Sequence, residues 1–129
     1  MNETYFINFD VPLNKKKFNK KIHCISTDAE LESYGFTDHI KTRWYYCRKI
    51  LPGITFNLSI DKKTRKATVE VLDENFCQPY DYQHMIYLAI HENRQPNEMA
   101  VMVHSKVQEK MKQLMGDGII TGYKENDYI

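Results

Sequence analysis

Alternation with a period of two is clearest in ITFNLSID and KATVEVLD, residues 54–61 and 66–73. Ile54, Phe56, Leu58 and Ile60 alternate with Thr55, Asn57 and Ser59, and Val69 and Val71 alternate with Thr68 and Glu70. Side chains along a strand point to opposite faces in turn, so the pair predicts an antiparallel hairpin with one buried face. Its loop, KKTR, places Arg65 near the position where such loops want a left-handed residue, normally glycine, so the site stores mild strain or the register differs by one.

Three further apolar runs read as strands. TYFINFDVPL, residues 4–13, is rich in aromatic and β-branched residues and is brought to an end by Pro12; KKIHCIS covers residues 20–26, and RWYYCRKI covers residues 43–50 before a turn at Pro52 and Gly53. TDAELESYG, residues 27–35, has the spelling of a short helix. Thr27 can accept the amide of Glu30 while the Glu30 carboxylate reaches back to Thr27, and Gly35 supplies a left-handed stop.

The period then changes to that of helices. Asp81 caps one, with Tyr80 placed to staple onto Met85, and the unbroken apolar run 85–90 predicts deep burial. Asn97, just after Pro96, caps a second helix, in which Met99, Met102, Val103, Val107, Met111 and Leu114 share one stripe. Lys110 interrupts that stripe and must send its ammonium outward. Gly116 or Gly118 terminates the helix, after which Ile119 and Ile120 return the chain to the core. The order β-β-α-β-β-β-α-α, with GIITGY as a late strand, predicts an α+β fold over a single domain, residues 1–129. Its expected form is a single antiparallel sheet of four to six strands packed on one face by a C-terminal αα-hairpin.

Composition narrows the functional classes. A chain of 129 residues with 42% hydrophobic and 27% charged residues is ordinary for a globular protein. No basic-then-apolar leader opens it and no apolar run approaches the roughly 20 residues of a membrane span, so a cytoplasmic protein without a membrane partner is expected. Frequent Asn, Lys, Ile and Tyr suggest a bacterial, phage or other mobile-element genome. Cys24, Cys47 and Cys77 are odd in number and widely spaced, which suits reduced, mostly buried thiols and neither a disulfide framework nor a zinc knuckle. Residues 1–66 hold 13 Lys or Arg against 7 Asp or Glu, and residues 67–129 hold 5 against 10, giving +6 and −5. Halves of opposite sign attract each other, within a fold or between subunits.

Catalytic chemistry finds little support. His84 and His91 lie seven residues apart, about 10.5 Å along a helix, too far to share one zinc ion. His23 and Cys24 point to opposite faces of a strand. No G-x-S-x-G elbow is present, the adjacent Asp73 and Glu74 imply no cleft, and GDGIITG follows a helix where a phosphate loop would precede one. The expectation is no metal, no cofactor and no catalytic residue.

Two basic stretches carry a nucleic-acid reading: Lys15, Lys16, Lys17, Lys20 and Lys21 around Phe18, and Lys62, Lys63, Arg65 and Lys66 at the hairpin tip. A second route to the same partner is KVQEKMKQLMGDGIITGY. Through Val107, Leu114, Gly118, Ile119, Ile120, Gly122 and Tyr123 it resembles the recognition-helix ending of Lrp/AsnC-type winged-helix regulators, which implies DNA binding. The resemblance covers about 18 residues and departs from that pattern where residues 97–115 read as one uninterrupted helix. The leading expectation is therefore a non-catalytic protein-binding or assembly module, self-associating as a dimer or binding another protein, with Trp44, Tyr45, Tyr46, Tyr80 and Tyr82 as its contact patch.

Overall fold

A computed structural model describes residues 22–125. In order they form β1 (His23–Cys24), α1 (Asp28–Tyr34), β2 (Arg43–Leu51), β3 (Ile54–Asp61), β4 (Ala67–Asp73), β5 (Gln78–Pro79), α2 (Tyr82–His91), α3 (Glu98–Gly116) and β6 (Ile120–Thr121). The class is α+β with antiparallel sheets; the strand expected over residues 4–13 lies outside the described residues.

The expected single sheet is instead a four-stranded one, in the order β2-β3-β4-β5, and a two-stranded one made by β1 and β6. The two touch at a single bridge, His23 to Lys66, where the Cys24 amide donates to the Arg65 carbonyl at 2.8 Å and the Ala67 amide to the Ile22 carbonyl at 3.0 Å. β1 reaches only the start of the β4 edge. The other end of that edge is taken by β5, which carries no alternating pattern to reveal it.

Register confirms the period-two reading. Trp44, Ile60 and Ala67 stand in one row, Tyr46, Leu58 and Val69 in the next, and Arg48, Phe56 and Val71 in a third. Apart from Arg48 and the half-buried Val69, these side chains are buried, in one cluster with Ile86 of α2 and Val103, Val107, Met111 and Leu114 of α3. The opposite face carries Tyr45, Cys47 and Lys49 beside Ser59, Asn57 and Thr55.

The helical stripes are narrower than the sequence suggests. At about 100° per residue, six consecutive apolar positions cannot all face inward, and in α2 the inward set is Tyr82, Gln83, Ile86 and Ala89. Met85 and Leu88, expected to be deeply buried, remain 39% and 40% exposed. In α3, Met99 is likewise outside the core, at 42% exposure. Lys110 leaves the stripe as expected, its ammonium 5.9 Å from the Tyr46 ring centre.

All three helices end in the same way. At the end of α3 the Ile119 amide donates to Leu114 at 3.0 Å and the Gly118 amide to Met115 at 3.1 Å, the paired bonds of a Schellman motif. Gly35 and Asn93 hold the equivalent positions after α1 and α2. Gly118, not Gly116, is the stop, since its φ of +77° is the one a side chain resists. Gly118→Ala is expected to destabilise the fold by about 1–2 kcal/mol. Gly116→Ala, in the helical region with open space around it, is expected to stabilise by about 0.5–1 kcal/mol. Denaturant midpoints of the two variants should move in opposite directions.

Candidate interaction surface

Half of the basic hairpin tip, Lys62 and Arg65, is answered by the protein's own carboxylates. Asp61 caps the loop by accepting from the Lys63 and Thr64 amides at 2.8 and 2.9 Å, which holds its carboxyl below the usual range. Lys62 donates to Asp38 at 3.0 Å and lies 4.7 Å from the Trp44 ring centre, and Arg43 stands 3.8 Å from Asp61. Arg65 meets Asp28 at 2.7 Å, and Asp28 also accepts from the Trp44 indole at 3.0 Å. Lys63 and Lys66 are left exposed, with no carboxylate partner among the described residues. Lys15, Lys16, Lys17, Lys20 and Lys21 lie outside the described residues.

Asp28 thus joins α1, β2 and the β3–β4 loop, and its bond to Arg65, followed by that to Trp44, draws its carboxyl below its ordinary value. A lowered folded value means that the stabilising contribution is whole at neutral pH and is lost as pH falls below about 4. Asp28→Asn should therefore be less stable than wild type at pH 7, with the gap narrowing as acid protonates Asp28. Urea titrations at several pH values would show it; the effect is modest because the pair is surface-exposed. Arg65 itself has φ +62°, the left-handed conformation that the loop predicted. Arg65→Gly and Arg65→Ala both remove the ion pair, but only glycine removes the strain. The alanine variant is expected to be the less stable by about 1 kcal/mol.

The five aromatic residues of the expected patch divide. Trp44, Tyr46 and Tyr82 are buried in the core, while Tyr45 and Tyr80 are half-buried. Rings on the sheet's inner face find neighbours there: Phe36 packs 5.0 Å from Tyr46, and Tyr34 lies 5.6 Å from it while donating its hydroxyl to Asp117 at 2.6 Å. Burial, and after it that bond, push the Tyr34 hydroxyl well above its ordinary value, so it stays protonated.

Of the thiols expected to be mostly buried only Cys24 is; Cys47 lies on the outer face of the sheet and Cys77 in the β4–β5 turn, both exposed, and desolvation raises both Cys24 and Cys47, so neither is an activated thiolate. Among the described residues, no three His, Cys, Asp or Glu side chains gather as a metal site would require. Nor is any described helix long and apolar enough to cross a membrane. α3 runs unbroken over Glu98–Gly116, so residues 97–115 lack the turn that separates supporting and reading helices in a winged-helix unit.

What the fold leaves outward is a different set. Between Lys66 and Arg94 the chain has no Lys or Arg, but it has Glu70, Asp73, Glu74, Asp81 and Glu92. Glu70, Asp73 and Glu74 form no ion pair among the described residues. The same segment exposes Phe76, at 73%, in the β4–β5 turn, and Met85 and Leu88 one helical turn apart on α2. Sequence reading missed this set because it assigned 85–90 to the core; the missing cations were visible in the sequence. No family model matches the chain, and no curated protein or solved structure matches it.

Proposed function

We propose that the chain is a non-catalytic protein-binding or assembly module whose contact surface is the β4–β5 turn together with the outward face of α2. The observation that carries this reading is the exposure of Phe76, Met85 and Leu88 on a segment that also lacks every cation. Exposed aromatic, methionine and leucine side chains rimmed by one sign of charge are what a partner surface offers: apolar area for affinity and charge for orientation. The α2–α3 hairpin acts as the lid of the sheet on its inward side, which leaves its outward side for contact.

Affinity capture from an extract of the producing cell tests this, run in parallel with wild type, a Phe76→Ser/Leu88→Ser variant and a Lys63→Ser/Lys66→Ser variant. A protein retained by wild type and lost with the first variant is the expected result. A strictly single-chain protein that retains nothing would argue against it. The second reading, nucleic-acid binding, rests on exposed Lys63 and Lys66 at the hairpin tip. It expects salt-dependent retention on nucleic acid that the second variant abolishes.

A further inference from the structure

Register turns the charge asymmetry of the sequence into a direction in space. β3 and β4 pair from Ile60–Ala67 at one end to Ile54–Asp73 at the other, a span of roughly 20 Å at strand rise. At the first end stand Lys63, Lys66 and Lys41, because the Lys62 amide donates to the Thr42 carbonyl at 3.0 Å and so ties residues 41–42 to the hairpin tip. All three lysines are exposed without a carboxylate partner among the described residues. Beside them Ile40 is 50% exposed, its carbonyl accepting from the Arg43 amide at 3.1 Å.

The second end has the opposite character. Asp73 ends β4 and Glu74 follows it, accepting from the Thr55 hydroxyl; Phe76 projects from the same turn, and β5 leads within two residues to the Asp81 cap of α2. Arg48 and Lys49 stand at the same end of the sheet, in register with Phe56 and Thr55, but on β2, two strands from β4. Each end therefore combines an exposed apolar side chain with charge left without an ion-pair partner: lysines at the first, where Asp28, Asp38 and Asp61 are taken up by Arg65, Lys62 and Arg43, and carboxylates beside Phe76 at the second. Between copies of a chain whose net charge is only +1, no general repulsion opposes contact.

We infer that a second copy of this chain occupies the surface assigned above: the acidic end of one copy, with Phe76, docks on the basic tip of the next, with Ile40, Lys41, Lys63 and Lys66. The inference rests on the proposed function and names its partner. A contact that joins different patches on the two copies is heterologous and continues into chains or rings instead of stopping at a symmetric pair. Exposed charges steer and orient it, so salt weakens it as the screening length falls from about 10 Å at 0.1 M to about 3 Å at 1 M.

Sedimentation of the full chain tests this over a range of concentrations at about 50 mM and about 500 mM salt. Wild type should grow beyond two chains with concentration at low salt and return to the mass of one chain at high salt. Lys63→Ser/Lys66→Ser and Glu74→Gln/Phe76→Ser should each associate at least about tenfold more weakly alone. Mixed, they should restore pairs and nothing larger, because each keeps the end that the other lacks. Unchanged melting temperatures establish that both variants are folded. Wild type that stays single at low salt, saturates at two chains, or associates regardless of both variants overturns the inference. So does a single-chain wild type whose Lys63 and Lys66 hold nucleic acid instead. If wild type stays single but a captured protein is lost with Phe76→Ser/Leu88→Ser, only this inference fails; if no protein is captured either, the functional reading fails with it.

Discussion

Phe56→Ala is expected to destabilise the protein by about 3–5 kcal/mol. Phe56 is fully buried at the middle of β3, with Arg48 and Val71 as its neighbours in register on the two flanking strands. A hole there cannot close by a small shift, because β3 is held by ladders on both sides and its neighbours are fixed by the same bonds. The loss combines the apolar transfer of the ring with the cavity left behind. Trp44, the chain's single tryptophan and itself buried, provides a fluorescence signal for the denaturation curve. A change below about 1 kcal/mol would mean that the sheet is not packed on this face.

Leu114→Ala and Met99→Ala should separate by a similar margin although both residues belong to one helical stripe in the sequence. Leu114 is fully buried in the last turn of α3, in the same cluster as the inner face of the sheet, so its truncation is expected to cost about 2–5 kcal/mol. Met99 lies in the first turn, exposed and outside the core cluster, and Met99→Ala is expected to stay within about 0.5 kcal/mol of wild type. Equilibrium unfolding of the pair would show whether the inward face of the helical lid begins where the burial says it does. Equal losses would place the start of α3 in the core as well.

How much of this was legible in the sequence depended on whether the signal was local. The capping box at Thr27 and Glu30, the alternation in β3 and β4, the left-handed Arg65 and the stops after α1 and α3 are decided by a few adjacent residues, and all are found. β5 is two residues long and includes Pro79, so it has neither a period nor the residue preferences of a strand. The division into two sheets depends on how β1 and β5 share the edge of β4, a contest between segments far apart in the chain. Burial within the run 85–90 was misjudged because composition gives hydrophobicity, whereas orientation comes from the helix axis relative to the sheet. The contact surface was half legible. Absence of cations between Lys66 and Arg94 is plain in the sequence, but the placement of positive and negative ends at opposite limits of one hairpin needs the register.

Hydroxyl-radical footprinting of Phe76, Met85 and Leu88 tests the central claim most directly, by comparing the dilute purified chain with the chain added to an extract of its producing cell. The account predicts modification of all three when dilute, fastest at Phe76 and slower at Met85 and Leu88, and strong protection in the extract while buried Leu114 stays slow throughout. Modification of Met85 and Leu88 as slow as that of Leu114 in the dilute chain would return them to the core. Equal modification in both conditions would leave the outward face of α2 without a partner.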